Sequence, residues 1–360
     1  MKGGLAMGKN ATIVEIAREC NVSIATVSRV LHGSSAVTPA TRAKVEAAIE
    51  RQGYTPNALA RSLVSNQSMT LGVIVPDISN PYFSVLFTQI EQAAISVGYN
   101  VFLCNTFYFS SSYQTMAPLK KEEEYFKIML QRQVDGVLII GGQIDLVNIS
   151  PDYLKALDNL SKRIPVVVLG RVIDGLNCIF IEHETGSGVI TAINYLASLG
   201  HRRIAFVGGE PGVFITETRL SAYRNAMAAL DLPTEDTLIS LSDYYAKDGY
   251  QAAQALIRRD RDFTAVLAVN DSVALGAMRA MRDEGLTVPD DVSLISCDQF
   301  YHANYFIPRL TSIDQHTEVL GRLIIQALLG AIKGVSEPAL IKCTPELILR
   351  ESCCPPAKGR

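Results

Sequence analysis

An arginine guanidinium can grip two acceptors on a guanine edge at once, and Arg29 stands where such a contact is feasible. Residues 12–31, TIVEIARECNVSIATVSRVL, carry Ile13, Ile16 and Ala17 at helical spacing. Asn21 follows, a residue that tolerates the left-handed conformation of a sharp corner. Ser23 is placed to cap a second helix whose Val27 and Val30 turn inward. Packing those apolar positions leaves Ile24, Ala25, Ser28 and Arg29 on the outer face, near the start of the second helix. That is the geometry of a helix-turn-helix that meets base edges. Taken alone, these residues fit an ordinary αα-hairpin of a small helical domain equally well.

A second set of chemistry-bearing residues trails short apolar runs. Asp77, Asn80, Arg171, Asn270, Asp271 and Asp298 each lie at or just after such a run. Ligands of open α/β sheets sit beyond the carboxyl ends of the strands, so these positions are candidates to meet a small molecule. The plain alternative for each is a cap or turn role, which is the preferred reading of Asp271.

Both sets need scaffolds. Pro39 opens a third helix, ATRAKVEAAIERQGY, with Val45, Ala48 and Ile49 along one side and Gly53 at its end. Three helices in this span make a minimal helix-turn-helix domain over residues 10–56. The connector that follows, residues 57–70, has room for one or two helical turns and is too short to be a stable helix alone. A plain flexible linker fits its composition as well.

From Leu71 onward the runs LGVIVP, YNVFLCN, DGVLIIG, PVVVLG, RIAFVGG, AVLAVN and VSLISCD alternate with stretches such as PYFSVLFTQIEQAAISVG and GSGVITAINYLASLG. That texture argues α/β repeats around fully buried parallel sheets, with too many strands for one sheet and hence two lobes over residues 71–352. SDYYAKDGYQAAQALIRR reads as a helix of the second lobe. IPRLTSIDQHTEVLGRLIIQALLGAI is expected to return through the first lobe before a final long helix. The Pro-rich end, residues 353–360, reads as a disordered tail.

The 360 residues carry a net charge of only −3. That charge is unevenly spread. Residues 1–66 hold eight Lys and Arg against four Asp and Glu, so a basic head precedes an acidic body, as suits a DNA-binding module on a core that should avoid phosphates. Seven cysteines without a CxxC pair or a zinc-spaced His cluster fit a reducing compartment. No apolar run spans a bilayer and MKGGLAMGKN lacks the core of a signal peptide, so a cytoplasmic protein without membrane partners is expected. No Ser-His-Asp order, metal-ligand spacing or phosphate loop is present, so neither an enzyme nor a metal or cofactor is expected.

The successive motifs IVEIARECNVSIATVSRVLHG, TRAKVEAAIERQGYTPNALARSL, LGVIVPDISNPYFS, VDGVLI, LGHRRIAFVGG, RLSAYRNAM, NDSVALGAMRAM and VPDDVSLISCD closely resemble the lactose-repressor (LacI/GalR) family of bacterial transcription regulators. The likeness runs from Thr12 to about Ser352, in the family's order and spacing. It implies an all-α helix-turn-helix domain in the major groove and a hinge helix in the minor groove. It also implies a two-lobed α/β core, like a periplasmic binding protein, that holds an effector.

Carried over by position, Ile24, Ala25, Thr26, Ser28 and Arg29 match DNA contacts of the recognition helix, and Thr12 and Ser23 match helix starts that meet phosphates. Asn57 matches the start of the hinge helix, and Ala60 and Leu63 match the positions that press into the central base step. For the effector, Tyr82 and Phe83 match first-lobe lining positions. Arg219, Asn270 and Asp298 match polar anchors, and Phe214, Ile215 and Tyr244 match pocket-lining positions.

The pattern departs from the family at Gly170 before Arg171, at Glu182 and His183, at Ser296 to Gln299, and in the long aromatic stretch after Asn105. Arg171 could receive a phosphate or carboxylate, or it could serve a structural salt bridge. The resemblance implies a repressor acting as a homodimer on a palindromic operator at the bacterial nucleoid. Because the chain shows no terminal leucine heptad, the expectation is a dimer rather than a tetramer. A sugar or sugar derivative is the first expectation for the effector, with a purine-type or phosphorylated corepressor as the alternative. A solute-binding protein with no role in transcription is the rival from a different class.

Overall fold

Helix formation begins with Thr12, whose hydroxyl accepts from the Glu15 N–H at 3.3 Å while the Glu15 carboxylate accepts from the Thr12 N–H at 2.7 Å. This reciprocal box starts α1 (Ile13–Cys20). Asn21 ends the helix in the left-handed conformation, φ 50° and ψ 47°, and so makes the sharp corner. Ser23 then caps α2 (Ile24–Leu31), its hydroxyl accepting from the Thr26 N–H at 3.1 Å. Thr38 and Pro39 start α3 (Pro39–Gln52), and Gly53 at φ 57° stops it. Ile16, Ala17 and Cys20 of α1, Val27 and Val30 of α2, and Val45 and Ala48 of α3 form one buried cluster, with Ile13 and Ile49 packed on it.

The computed structural model describes residues 11–31, 36–53, 67–106, 122–182, 184–335 and 344–357. The chain divides into two units, Met1–Ser68 and Met69–Arg360. Most of the expected hinge, including Asn57, Ala60 and Leu63, lies outside the described residues.

In the second unit, β1 (Thr70–Val75) leads to α4 (Pro81–Ser96), β2 (Asn100–Asn105), α5 (Glu122–Gln131), β3 (Gly136–Ile140), α6 (Pro151–Ser161), β4 (Val166–Leu169) and β5 (Ile179–Ile181). These strands pair in parallel in the order β2-β1-β3-β4-β5. Alternation along β1 sends Leu71, Val73 and Val75 to one face and Ile74 to the other, so both faces are covered and the run reads as continuously apolar. α4 covers the first face, α5 and α6 the second.

The chain then enters the second lobe through α7 (Thr185–Leu199), β6 (Ile204–Val207), α8 (Phe214–Ala229), β7 (Ile239–Ser240), α9 (Ala246–Arg259), β8 (Ala265–Ala268), α10 (Asp271–Asp283), β9 (Ser293–Ser296) and β10 (Thr311–Asp314). α11 (Thr317–Ile332) and β11 (Glu346–Ile348) complete the order. The second sheet runs β11-β10-β9-β8-β6-β7, parallel except for β11. α9 and α10 lie backbone to backbone: a Cβ on Gly276 would sit 1.9 Å from the Ala246 carbonyl oxygen, so only glycine permits this approach.

Two expectations are corrected. TSID does not pass through the first lobe; it is β10 of the second sheet, and the return is made by α11 itself, whose Leu320, Ile324, Ile325 and Leu328 pack on the first sheet. The apolar run was legible, but its partner strand was not. Nor is the end of the chain a free tail through residue 357. The Cys354 N–H donates to Ser293 Oγ at 3.0 Å, and His201 Nε2 lies 2.9 Å from the Cys354 carbonyl oxygen. A carbonyl only accepts, so Nε2 carries the proton and Nδ1 accepts from the Thr264 hydroxyl at 2.9 Å. Burial holds this imidazole below its usual pKa, consistent with the neutral form. Three short strands, β5, β7 and β11, gave too little periodicity to be anticipated.

Candidate functional site

The first unit presents α2 outward. Ile24 keeps 48% of its surface exposed, Ala25 and Arg29 are also exposed, and Thr26 and Ser28 are half-exposed. Ser23 and Thr26 share a hydroxyl contact of 2.9 Å that belongs to the cap. The Thr26 N–H is spent on Ser23, so the first backbone N–H groups of α2, at Ile24 and Ala25, are the setting for phosphate, as is the start of α1 at exposed Thr12. Ile24 and Ala25 offer only apolar contact, such as to a thymine methyl, whereas Arg29 carries the five-donor fork.

In the second unit, a cavity of about 320 Å3 lies between the lobes at the carboxyl ends of the strands. β1 delivers Asp77 and, at the start of α4, Asn80, Tyr82 and Phe83. β4 delivers Arg171, β8 delivers Asn270 and β9 delivers Asp298. The start of α8 supplies Phe214, Ile215 and Arg219, and Tyr244 stands just before α9. All eight side chains that the resemblance matches to effector positions, and Arg171 with them, thus line one cavity. Asp271 does not line it: its carboxylate accepts from the Phe300 N–H at 2.8 Å, the structural role preferred from the sequence.

The floor of the cavity is an ion pair. Arg219 Nη2 and Nη1 donate to the two Asp298 oxygens at 2.6 and 3.2 Å, and Nη1 also donates to the Val269 carbonyl at 2.5 Å. Arg219 is 4% exposed and its Nε has no acceptor among the described residues. Burial alone would pull the guanidinium down, but Asp298 more than offsets that, so Arg219 is held protonated, above its usual pKa. Asn270 is fully engaged, accepting from the Val273 N–H at 2.8 Å and donating to the Tyr244 carbonyl at 3.0 Å. Burial raises both Tyr82 and Tyr244 well above the phenol range, so both are hydrogen-bonding phenols rather than phenolates.

Arg171 does not serve the structural salt bridge that was one of its two expected roles. It forms none of the ion pairs among the described residues. Its Nη2 donates to the carbonyls of Leu146 and Val147 at 2.8 and 3.0 Å, and its guanidinium lies 5.1 Å from the Phe214 ring centroid. These contacts belong to a clasp across the cleft. Leu146 bridges Val213, the Val147 N–H donates to the Gly212 carbonyl at 2.9 Å, and the Tyr245 hydroxyl donates to Asp77.

The lining residues missed as ligand contacts include the polar side chains of Asp145, Glu182, Glu184 and Tyr245. Asp145 follows Gly141 and Gly142, whose φ of 70° and 84° turn the chain back over the end of β3. The GGQID sequence was the available signal. Burial pushes the Asp145 carboxyl up to about 7, with Arg171 pulling the other way. Gly170 matters here, since a Cβ at that position would meet Asp145 Oδ1 at 3.3 Å.

Comparison with known proteins supplies a frame for both sites. Residues 12–57 match the family described as bacterial regulatory proteins, lacI family, and residues 193–353 match the periplasmic binding protein-like domain. The chain is 36% identical to catabolite control protein A of Priestia megaterium over 89% of this chain and 92% of that protein. A lac repressor dimer bound to operator and the anti-inducer ONPF superposes with TM-score 0.81 at 26% identity, covering 96% of this chain and 99% of the other. The transcriptional regulator CelR in complex with cellobiose gives TM-score 0.68 at 28% identity, over 95% and 100%.

Proposed function

The chain belongs to the lacI family of bacterial regulatory proteins, and on that premise we propose how its parts divide the work of an effector-controlled, DNA-binding transcriptional regulator. Arg29 reads a guanine, Ile24 and Ala25 contact apolar base edges, and the starts of α1 and α2 hold phosphates. The hinge positions Asn57, Ala60 and Leu63 act at the central base step. The protein works in the cytoplasm as a homodimer on a roughly palindromic operator and represses from it, without enzymatic chemistry of its own.

The effector is a sugar or sugar derivative held in the cleft. One observation carries this reading: a buried Arg–carboxylate fork at the floor of a cavity walled by Tyr82, Phe83, Phe214 and Tyr244. Aromatic faces cover the apolar side of a sugar ring while the fork and the phenols meet its hydroxyls. A phosphorylated effector fits less well, because both guanidiniums are already engaged by Asp298 and by backbone carbonyls. Effector binding changes operator affinity through linkage, with a coupling of about 1–3 kcal/mol.

The test is a salt-dependent gel shift on palindromic DNA, paired with a thermal-shift screen of sugars, sugar phosphates and purines. Specific retardation that a sugar alters supports the reading. A response confined to purines overturns the effector class and leaves the DNA assignment intact.

A further inference from the structure

The cavity has a charge imbalance that neutral sugars do not explain. Asp77, Asp145, Glu182, Glu184 and Asp298 line it against only Arg171 and Arg219. The partners of these groups matter more than their number. Asp298 is neutralised by Arg219, and Asp77 accepts from Ser79 and Tyr245. Arg171 is spent on the carbonyls of Leu146 and Val147. Among the described residues Asp145 alone of these carboxylates accepts no hydrogen bond, and burial pushes its carboxyl up against the pull of the Arg171 charge.

Asp145 therefore presents an unspent acceptor to a cavity of about 320 Å3, a volume suited to a monosaccharide-sized ligand. A half-buried carboxylate without a hydrogen-bond partner is costly, and a cation placed beside it reduces that cost. Phenyl and phenol rings on the same walls favour a cation over an anion as well.

Resting on the reading of this cavity as the effector site, we infer that the effector is a polyhydroxylated molecule carrying a protonated amine, an amino sugar in chemical class. Its ammonium sits on the Asp145 carboxylate, and its hydroxyls face the Tyr82 phenol on the same wall. Binding then forms an ion pair in a desolvated setting, where a charged hydrogen bond discriminates strongly against the same skeleton without the charge.

The experiment uses the full chain and isothermal titration with matched ligands: glucosamine and galactosamine, their N-acetyl forms, the parent neutral hexoses, and the 6-phosphates. The expected result is that at least one free amine binds roughly tenfold or more tightly than both its N-acetyl form and its neutral parent. In Asp145→Asn that preference collapses to near unity. Equal or tighter binding of the neutral parent or the phosphate overturns the amine assignment while leaving the cavity as a sugar site. Heat from none of these ligands overturns both. The wild-type comparison decides the matter whether or not the variant folds.

Discussion

At the scale of single residues, the side chains that matter are those whose partners leave a donor or acceptor unspent. Arg29 is the clearest case in the DNA-reading unit, because its neighbours on the outer face of α2 are Ile24 and Ala25, which bring no hydrogen bonds. Arg29→Ala should lower discrimination at one operator position by about 1–3 kcal/mol, measured by gel shift on operators varied base by base. An equal loss on every sequence would reduce Arg29 to a phosphate contact. The Arg219–Asp298 pair illustrates the opposite situation, in which both carboxylate oxygens are taken up by the guanidinium Nη groups. Arg219→Met should cost the core about 3–5 kcal/mol in urea unfolding, because Asp298 is left as an uncompensated buried charge. Adding Asp298→Leu should recover much of that loss, which a purely steric defect would not allow.

At the scale of elements, each functional group is aimed by a local device. The Thr12–Glu15 box and the Asn21 corner fix the angle between α1 and α2, and Ile16 at 0% exposure is the knob that holds them on α3. Ile16→Ala should destabilise the first unit by about 2–5 kcal/mol and abolish operator binding while effector binding to the core persists. In the core, the glycine contact between α9 and α10 keeps Tyr244 and Tyr245 beside Asn270, and the bridge from Leu146 to Val213 joins the lobes. Tyr245→Phe removes the donor to Asp77 across the cleft. Effector affinity should fall several-fold with little change in core stability, as titration and thermal melting would register.

For the molecule as a whole, buried carboxylates set a pH dependence. Burial raises Asp145 and Glu122 to about 7, from an unfolded value near 4, so in that interval the folded chain binds more protons than the unfolded one. Stability is therefore greatest below about pH 4 as far as these groups are concerned, and is lost as pH rises through about 7. Ligand-free melting temperature should be higher at pH 5.5 than at pH 8, and Glu122→Gln should flatten the slope. A second property belongs to the assembled protein. Leu275, Tyr305 and Ile307, exposed by 50, 76 and 93%, gather around a groove of the second lobe. Such a patch suits a partner copy. Ile307→Asp should shift the protein towards monomers in sedimentation and weaken binding to a palindrome far more than to a half-site.

The sequence by itself determined whatever depends on near neighbours. The spacing of Ile13, Ile16, Ala17, Val27 and Val30 exposes one face of α2, and short β-branched runs require doubly covered parallel strands whose carboxyl ends carry the ligand-facing residues. Family likeness added positions such as Arg219 and Tyr244, which no local pattern marks. Only the tertiary structure decided which distant groups meet. It assigned β10 to the second sheet, tied Cys354 to Ser293 and His201, spent Arg171 on two carbonyls, and left Asp145 without a donor among the described residues. The physical reason is that capping and periodicity act over a few residues. Desolvation and hydrogen-bond satisfaction depend on everything packed around a group, and here that includes side chains up to 168 positions away in the chain.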